Sequence, residues 1–384
     1  MHSREFSDKA PGSLVDIPGG VAFVPADLPP MVPISWDLAA KLEDAARALA
    51  RVDGRTALLG NADLLLRPLL AREAVESNRL EGTHTQVDDV LRAEALGPPK
   101  DLIYASKLHE VSQYLKATNL GREWIADGRP LSAFLLRALH RELLDGARGS
   151  RLSIGEFRRK QVLIGQQADT VETARFVPPP AEFVDECVAN LLRFANDDLT
   201  YPPLVASAIT HYQFETIHPF EDGNGRLGRL LIPLNLMQRG FISHPIVNLS
   251  PFFESRRSEY LELLRQVSTN GAWVDWVEFF LTAVAVQADD ACKRADALLR
   301  LRQEYEERAR MHVRSRVRTD AIVFSLERVF VTAGELALFA HCNYRTARSA
   351  LEGLAHAGIL VSLADVYPQA WVASEVYELV YGDI

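Results

Sequence analysis

Twelve consecutive residues, 218–229, carry side chains that could act together on a phosphate group. They read His-Pro-Phe-Glu-Asp-Gly-Asn-Gly-Arg-Leu-Gly-Arg. His218 is a candidate general base, because imidazole has an unperturbed pKa near neutrality. Asp222 is a hard oxygen ligand of the kind that holds Mg²⁺ jointly with a nucleotide. The stretch therefore predicts a phosphate site that has its own base and metal ligand.

A glycine-rich turn in this stretch leads into a helix that we expect to begin near Gly225. The N-terminus of a helix attracts anions, because its first N–H groups are free and its dipole is positive there. The backbone of Gly223, Asn224 and Gly225, with the Asn224 side chain, is expected to hold phosphate oxygens. A purely structural loop is the alternative, and it has no need of a His, an Asp and two Arg at these spacings.

The same stretch is similar to the signature of the Fic family, His-Pro-Phe-x-Asp/Glu-Gly-Asn-Gly-Arg-x-x-Arg, at every fixed position. The resemblance implies a mainly α fold, a Fic helical core with a small β-hairpin flap. It implies that AMP moves from ATP to a Ser, Thr or Tyr hydroxyl of a target protein or of the chain itself, with Mg²⁺ as cofactor. His218 would then accept the hydroxyl proton and Asp222 would hold Mg²⁺. Arg226 and Arg229 would take the β- and γ-phosphates.

A second segment, Ser77-Asn78-Arg79-Leu80-Glu81-Gly82, ends a predicted helix. By itself it reads as an ordinary helix end, with Gly82 in the left-handed position that follows many helices. Beside the signature, it resembles the family's inhibitory motif Ser/Thr-x-x-x-Glu-Gly/Asn. The resemblance implies that Glu81 pairs with Arg229 and blocks placement of the γ-phosphate. The reverse reaction stays open, since Glu81 could also position a water that removes AMP.

The run Gln161-Val162-Leu163-Ile164-Gly165 is prone to form a strand, with Ala174–Val177 as its partner. A surface hairpin is one interpretation. The resemblance implies instead the family's flap, formed by Val162, Leu163, Ile164 and Gly165, whose backbone would hold the target segment by β-augmentation.

Two aromatic positions have open roles. Tyr260 falls where family members place a Tyr pair at the adenine, but Leu261 stands at the second position; ordinary packing is the alternative. His211, inside the buried helix before the signature, is expected to be a satisfied core or surface histidine and not a second base.

Composition limits the class of protein. The chain has 384 residues, a net charge of −9 and 48% hydrophobic residues, which excludes a general polyanion binder and supports a large core. Its three cysteines are widely spaced and offer neither a disulfide framework nor a metal cluster. We expect a cytoplasmic protein without a membrane segment.

The pattern along the chain predicts four regions. Residues 1–100 contain an extended arm and the inhibitory helices, in which a first helix ends at Gly54, and residues 101–284 form the Fic core. Residues 285–318 are expected to form a solvated linker helix, with a helix that forms a homodimer as the alternative. Residues 319–384 resemble a winged helix-turn-helix.

The last region carries a local excess of positive charge. Between Met311 and Ala350 there are six Arg against three Asp or Glu, which is compatible with DNA. Docking to a protein and dimerisation are alternatives. The competing functions are therefore a DNA-binding regulator that uses the Fic core as a nucleotide sensor, and a scaffold without activity.

Overall fold

The computed structural model describes residues 1–58, 62–146, 153–166, 168–197, 199–313, 316–364 and 366–382. Its elements in chain order are β1 (Gly12–Ile17), β2 (Gly20–Pro25), α1 (Trp36–Leu58), α2 (Asp63–Leu80), α3 (Val87–Leu96), α4 (Leu102–Ala126), α5 (Ala133–Leu143), α6 (Val184–Asp197), α7 (Pro203–Ile217), α8 (Asn224–Gln238), α9 (Ser250–Ser255), α10 (Arg257–Asn270), α11 (Trp273–Ala309), α12 (Arg318–Glu327), β3 (Phe330–Thr332), α13 (Ala333–Phe339), α14 (Tyr344–His356), β4 (Val361–Ser362), β5 (Ala370–Val372) and α15 (Ser374–Tyr381). The expected mainly α fold with only small sheets is confirmed.

Helix α7 is the centre of the core. Every residue from Leu204 to Ile217 except Glu215 is buried, as expected of a helix that is apolar on all sides. It packs against α6, α8 and α11. The turn between α7 and α8 is the signature stretch, so two buried helices fix both of its ends.

Helix α2 brings the segment 77–82, which resembles the inhibitory motif, to this turn. It packs against α4, α8 and α9. The buried carboxylate of Glu73 helps to hold it, because it accepts hydrogen bonds from the backbone N–H of Ser250 (3.0 Å) and the hydroxyl of Tyr114 (3.2 Å). The C-terminus of α2 is thereby anchored next to the catalytic loop.

Two boundaries differ from the sequence expectation near the N-terminus. Ser35 does cap α1, since its Oγ accepts from the N–H of Leu38 at 3.1 Å, but the helix continues through Gly54 to Leu58. A single glycine in a helix costs only about 1 kcal/mol, and packing against α11 offsets it. Helix α3 was not predicted.

The first 34 residues are more ordered than an extended arm. Strands β1 and β2 pair as an antiparallel hairpin, and Phe23 donates a backbone hydrogen bond to Val177 (3.0 Å). Ala22 and Phe23 form a small core with Phe176 and Val177. The hairpin therefore packs against the back of the flap region.

The expectation of a solvated linker helix at 285–318 was wrong. Helix α11 runs without a break from Trp273 to Ala309, and it packs along α1. One face beyond Val284 is buried, at Ala288, Ala291, Ala295, Leu298, Leu301 and Tyr305. Most of the charged residues that suggested a linker lie on the other side of this core helix, and the buried Arg294 is paired with Asp290.

The C-terminal elements comprise α12, α13 and α14 with a small antiparallel sheet of order β3-β5-β4. Their apolar residues belong to the same hydrophobic cluster as α1 and α11. The winged-helix assignment stays a prediction. Among the described residues, no helix combines the length and apolarity needed to cross a membrane.

Candidate active site

His218 lies at the point where α7 ends. Its backbone has φ 50°, and its N–H donates to the carbonyl of Phe214 at 3.0 Å. Left-handed backbone in a non-glycine residue costs on the order of 1–2 kcal/mol, so the surrounding structure must hold it. The chain turns out of the helix here, which brings the side chain to the site cavity.

The His218 ring is fixed in the form that a general base requires. Nδ1 lies 3.2 Å from the carbonyl oxygen of Glu215, which can only accept, so Nδ1 carries the proton and Nε2 the free lone pair. Burial lowers the pKa of His218 to about 4. The imidazole is therefore neutral at physiological pH.

Asn224 closes the loop that follows. Its Oδ1 accepts from the N–H of Phe220 and its Nδ2 donates to the carbonyl of the same residue, both at 2.9 Å. The side chain is buried. The amide is bonded within the loop and shapes the backbone that faces the cavity, and Asn224 also lines the cavity. Its expected contact with phosphate stays a prediction.

A cavity of about 850 Å³ adjoins this loop and the first turn of α8. Small-molecule sites occupy roughly 300–1,000 Å³, so a nucleotide fits. Residues from the three predicted parts line it: Glu81 from α2, Leu163 to Gln166 from the flap region, and His218, Asp222 to Gly225 and Arg229 from the signature.

Asp222 suits a cation shared with a nucleotide. Its side chain is 56% exposed and lines the cavity. Its Oδ1 accepts from the N–H of Gly223 at 2.6 Å, which leaves further lone pairs for a ligand. No group of three potential metal ligands occurs among the described residues. A single carboxylate is the donor set that Mg²⁺ uses when phosphates and waters complete its shell.

Arg229 is the arginine of the signature that lines the cavity, and α2 already holds it. Its Nε donates to Oγ of Ser77 and its Nη2 to the carbonyl of Ser77, each at 2.9 Å. Nη2 also donates to Oε1 of Glu81 at 2.8 Å. Although burial opposes the charge of both groups, their attraction prevails: the pKa of Arg229 is raised and that of Glu81 is lowered.

Arg226 does not face the cavity. It is 6% exposed, and its Nη1 lies 3.4 Å from Oδ1 of Asn78 and 3.3 Å from Oε2 of Glu110. Its Nη2 lies 3.9 Å from Oδ1 of Asp222, and its expected contact with phosphate stays a prediction. The spacing i, i+3 places the two arginines only about 60° apart around α8. Their different surroundings come from the neighbouring helices, since Arg226 ties α8 to α2 and α4.

Glu81 occupies the anion position at the start of α8. A Cβ added to Gly225 would lie 2.2 Å from its Oε1 and 2.9 Å from Nη1 of Arg229, so the carboxylate rests directly on this glycine. Gly82 has φ 86°, which lets the chain leave α2 immediately after Glu81. The carboxylate therefore lies against the first turn of α8 and beside Arg229, where the helix dipole favours an anion.

The flap region has one pair of strand contacts instead of a regular hairpin. Ile164 and Phe176 exchange backbone hydrogen bonds of 2.9 and 3.0 Å. Leu163, Ile164 and Gly165 line the cavity, whereas Val162 is not among the lining residues. The segment thus lies beside the cavity, and its role as a flap that holds a target stays a prediction.

Tyr260 is more buried than an adenine-stacking residue needs to be. It is 3% exposed, and its ring stacks on Phe253 at a centroid distance of 4.5 Å. Its hydroxyl donates to Nε2 of His211 (2.9 Å), whose Nδ1 donates to the carbonyl of Gly228 (3.1 Å). His211 is the satisfied core histidine that the sequence predicts. Leu261 and Leu264 also line the cavity beside Tyr260.

Comparison with known families agrees with this geometry. The Fic/DOC family N-terminal model matches residues 39–123 and the Fic/DOC family model matches residues 130–236, together half of the chain. The chain belongs to the Fic/DOC family.

Relatives of this Fic chain are similar over short stretches. "Protein adenylyltransferase fic-1" of Caenorhabditis elegans is 37% identical over 105 residues, which are 27% of this chain and 18% of that protein. "Probable protein adenylyltransferase aq_aa38" of Aquifex aeolicus is 33% identical over 93 residues, 24% of this chain and 27% of that protein. The chain thus spans less than a third of the length of these relatives.

Solved structures show the Fic fold over a larger part of the chain. A Fic family protein from Desulfovibrio desulfuricans aligns with a TM-score of 0.56 at 21% identity, covering 90% of this chain and 98% of that one. A fragment of Fic-1 from C. elegans aligns with a TM-score of 0.51 at 22% identity, covering 69% and 74%.

Two residues of the Fic site were missed by the sequence analysis. His140 stacks on Phe220 at 3.9 Å, accepts from the N–H of Gly155 and donates from Nε2 to the carbonyl of Asp222 at 3.0 Å. Glu215 lines the cavity, and burial raises its pKa to about 7. Its position three residues before His218 was the available signal for Glu215; His140 had none.

Proposed function

We propose that this chain transfers AMP from ATP to a Ser, Thr or Tyr hydroxyl of a protein, itself included, and that Glu81 holds it in an inhibited state. The observation that carries the proposal is the shared cavity. It is lined by a neutral histidine with a free Nε2 and by a helix N-terminus whose anion position is taken by a carboxylate of the same chain.

The chain's own residues account for the transfer. The target hydroxyl loses its proton to Nε2 of His218 while its oxygen bonds to the α-phosphorus, and the bond from that phosphorus to the α–β bridging oxygen breaks. The N–H groups of Gly223 to Gly225 and the dipole of α8 stabilise the phosphate oxygens. Asp222 is the residue that would hold Mg²⁺, which neutralises phosphate charge when bound. Pyrophosphate leaves.

Inhibition follows from competition for Arg229. Glu81 and a γ-phosphate are both anions that would bind the same guanidinium and the same helix N-terminus. With Glu81 in place, the phosphate chain cannot take the position that aligns the α-phosphorus with His218. ATP therefore binds in a non-productive way until Glu81 moves.

The position of the label decides the reaction. Glu81→Gly incubated with Mg²⁺ and ATP labelled in the α-phosphate should incorporate label into its own chain. ATP labelled in the γ-phosphate should give none. Incorporation from the γ-phosphate alone would show phosphoryl transfer and overturn the proposal.

Removal of AMP is a second candidate. It is favoured by the position of Glu81, an ionised carboxylate that is 41% exposed at the cavity and could activate a water. The substrate is chain that carries AMP after self-labelling by the Glu81→Gly variant and that is then repurified. It should lose AMP faster when wild-type enzyme is added than when the Glu81→Gln variant is added. Equal loss with the two enzymes would exclude this role.

The C-terminal elements are a candidate DNA-binding unit. The first turn of α14 exposes Tyr344, Arg345 and Arg348, as a recognition helix does. A salt-sensitive gel shift with duplex DNA should disappear in Arg345→Glu and persist in Arg47→Glu, whose arginine is exposed on α1. A shift that both variants retain would place binding elsewhere, and none with wild type would exclude it.

A further inference from the structure

Arg158 is a buried guanidinium whose hydrogen bonds end on backbone carbonyls. It is 2% exposed and does not line the nucleotide cavity. Its Nε donates to the carbonyl of His218 at 2.8 Å and its Nη2 to that of Ile217 at 3.2 Å. These are the carbonyls that the end of α7 leaves without partners in the helix. Arg158 therefore caps the helix at the catalytic histidine.

The same guanidinium reaches both ends of the flap region. Nη1 donates to the carbonyl of Lys160 at 3.1 Å, and Nη2 donates to that of Pro179 at 2.6 Å. The backbone N–H of Arg158 donates to Pro219, the residue after the histidine, at 2.9 Å. One side chain thus joins the two stems of the flap to the backbone of the base.

Burial of the Arg158 charge costs free energy, and the capping of α7 alone does not explain why the chain bears that cost. Among the described residues no carboxylate lies within ion-pair distance of Arg158. A buried charge without a counter-charge is expensive unless hydrogen bonds replace its lost water. Here four carbonyl dipoles do so, and they come from three separate segments of the chain.

We propose that Arg158 is a positioning residue that holds His218 and the flap in a single geometry, so that a hydroxyl presented by the flap meets Nε2 of the base. This inference rests on the proposed transfer of AMP. The left-handed backbone of His218 (φ 50°) is the conformation that the clamp maintains. Without the clamp, the base and the flap would move independently.

The charge of Arg158 also acts on the base. The groups that affect the pKa of His218 are its burial, the carbonyl of Glu215, Arg158, and the carboxylates of Glu81 and Asp222; burial and Arg158 lower it, and the others raise it. A variant without this positive charge should therefore have a higher His218 pKa. This effect depends on the charge of Arg158, so comparison of Arg158→Met with Arg158→Lys separates the loss of the charge from the loss of the clamp.

The test uses the full chain with Glu81→Gly as the active background. Arg158→Met removes the charge and the clamp, and Arg158→Lys keeps the charge but reaches fewer carbonyls. Arg294→Lys is the matched control, because Arg294 is equally buried and donates to the carbonyls of Leu379 and Val380 in a helix away from the site. Circular dichroism and thermal melting establish that each variant is folded.

Both Arg158 variants should self-label about 10²-fold more slowly from α-labelled ATP, since a misplacement of about 1 Å costs that much. The Kd for ATP should stay unchanged, because Arg158 does not touch the cavity. In Arg158→Met the His218 pKa, followed by NMR titration of its ring proton, should rise. In Arg158→Lys and Arg294→Lys it should stay near the parent value.

The proposal would be overturned if folded Arg158→Met had the same self-labelling rate and the same His218 pKa as the Glu81→Gly parent. If Arg158→Met does not fold, a parent self-labelling rate in Arg158→Lys overturns it. The NMR titration needs no turnover. An inactive Glu81→Gly parent would thus count against the transfer of AMP, while an unchanged pKa in Arg158→Met would count against the clamp.

Discussion

Oε1 of Glu81 accepts a 2.8 Å hydrogen bond from Nη2 of Arg229, a residue 148 positions later in the chain. The same carboxylate rests against Gly225, at the first turn of α8. The C-terminal end of α2 and the first turn of α8 thus meet at one ion pair, in which Arg229 is buried and the Glu81 side chain is 41% exposed. Arg229 has two more bonds to α2 through Ser77, so Glu81 can leave without freeing the guanidinium completely.

Ser77 should restrain Arg229 independently of Glu81. Ser77→Ala leaves Nε of Arg229 without its 2.9 Å acceptor, and a buried donor without a partner costs about 1–3 kcal/mol. We expect self-labelling between that of wild type and that of Glu81→Gly, together with a lower melting temperature. Ser325→Ala, a buried serine in α12, is the control and should lower stability without any change in labelling. A Ser77→Ala rate at or below wild type would contradict this role.

Gly225 should be required for phosphate and not only for Glu81. In Gly225→Ala the new methyl group meets both the Glu81 carboxylate (2.2 Å) and Nη1 of Arg229 (2.9 Å). Combined with Glu81→Gly, it should still lower labelling by about 10²-fold, because phosphate loses its close approach. Gly334→Ala, in α13 with no atom within 4 Å of its Cβ, should have no effect. Full activity of the double variant would show that this turn does not hold phosphate.

The pH dependence of self-labelling should not show the titration of a histidine with a pKa near 6.5. Burial lowers the pKa of His218 to about 4, so the imidazole stays neutral and able to accept a proton down to that pH. Removal of Glu81, whose charge raises this pKa, moves it further down. Glu215, whose pKa burial raises to about 7, also lines the cavity, so the measurement uses Glu81→Gly combined with Glu215→Gln. The kcat/KM for self-labelling by this double variant should stay flat from pH 8 to about pH 5.5. A loss of rate centred near pH 6.5 would mean that His218 is solvated as in a model peptide.

How much of this site the sequence could predict depends on how each residue is held. His218, Asp222, Arg229 and Glu81 line one cavity because their motifs fix both type and spacing. Arg226 and Asn224 have the same motif support, yet they bond to neighbouring helices or to the loop itself. A sequence motif gives the type of each residue, but the direction of its side chain depends on the residues packed around it.

The fold shows the same limit. Helix α7 was predictable because it is apolar on every side, whereas α11 was divided at Val284 because its exposed face carries charges in a run. Its buried alanines at 288, 291 and 295 keep a helical spacing that the charges obscured. Packing of the N-terminal hairpin on the flap depends on contacts such as Phe23 with Val177, which no local pattern encodes.

Stability should depend on pH through His211. It is 2% exposed, and burial lowers its pKa to about 3, below the unfolded value of 6.5. As the pH falls below 6.5, His211 binds a proton in the unfolded chain but not in the folded chain. The contribution of buried, neutral His211 to the free energy of unfolding is therefore fully present above pH 6.5 and is lost as the pH falls. His211→Gln should reduce the slope of unfolding free energy against pH between 6 and 4.5 by about 1.4 kcal/mol per pH unit. Urea denaturation at a series of pH values measures it, and identical slopes would contradict the assignment.

The most direct measurement of the central claim is the initial rate of self-labelling from α-labelled ATP and Mg²⁺ in three proteins. Wild type should label weakly, Glu81→Gly strongly, and Glu81→Gly with His218→Ala not at all. The gain reflects release of Arg229 for the γ-phosphate, and its loss in the double variant identifies His218 as the base. Equal rates in wild type and Glu81→Gly would contradict inhibition by Glu81. A labelled double variant would contradict the role of His218.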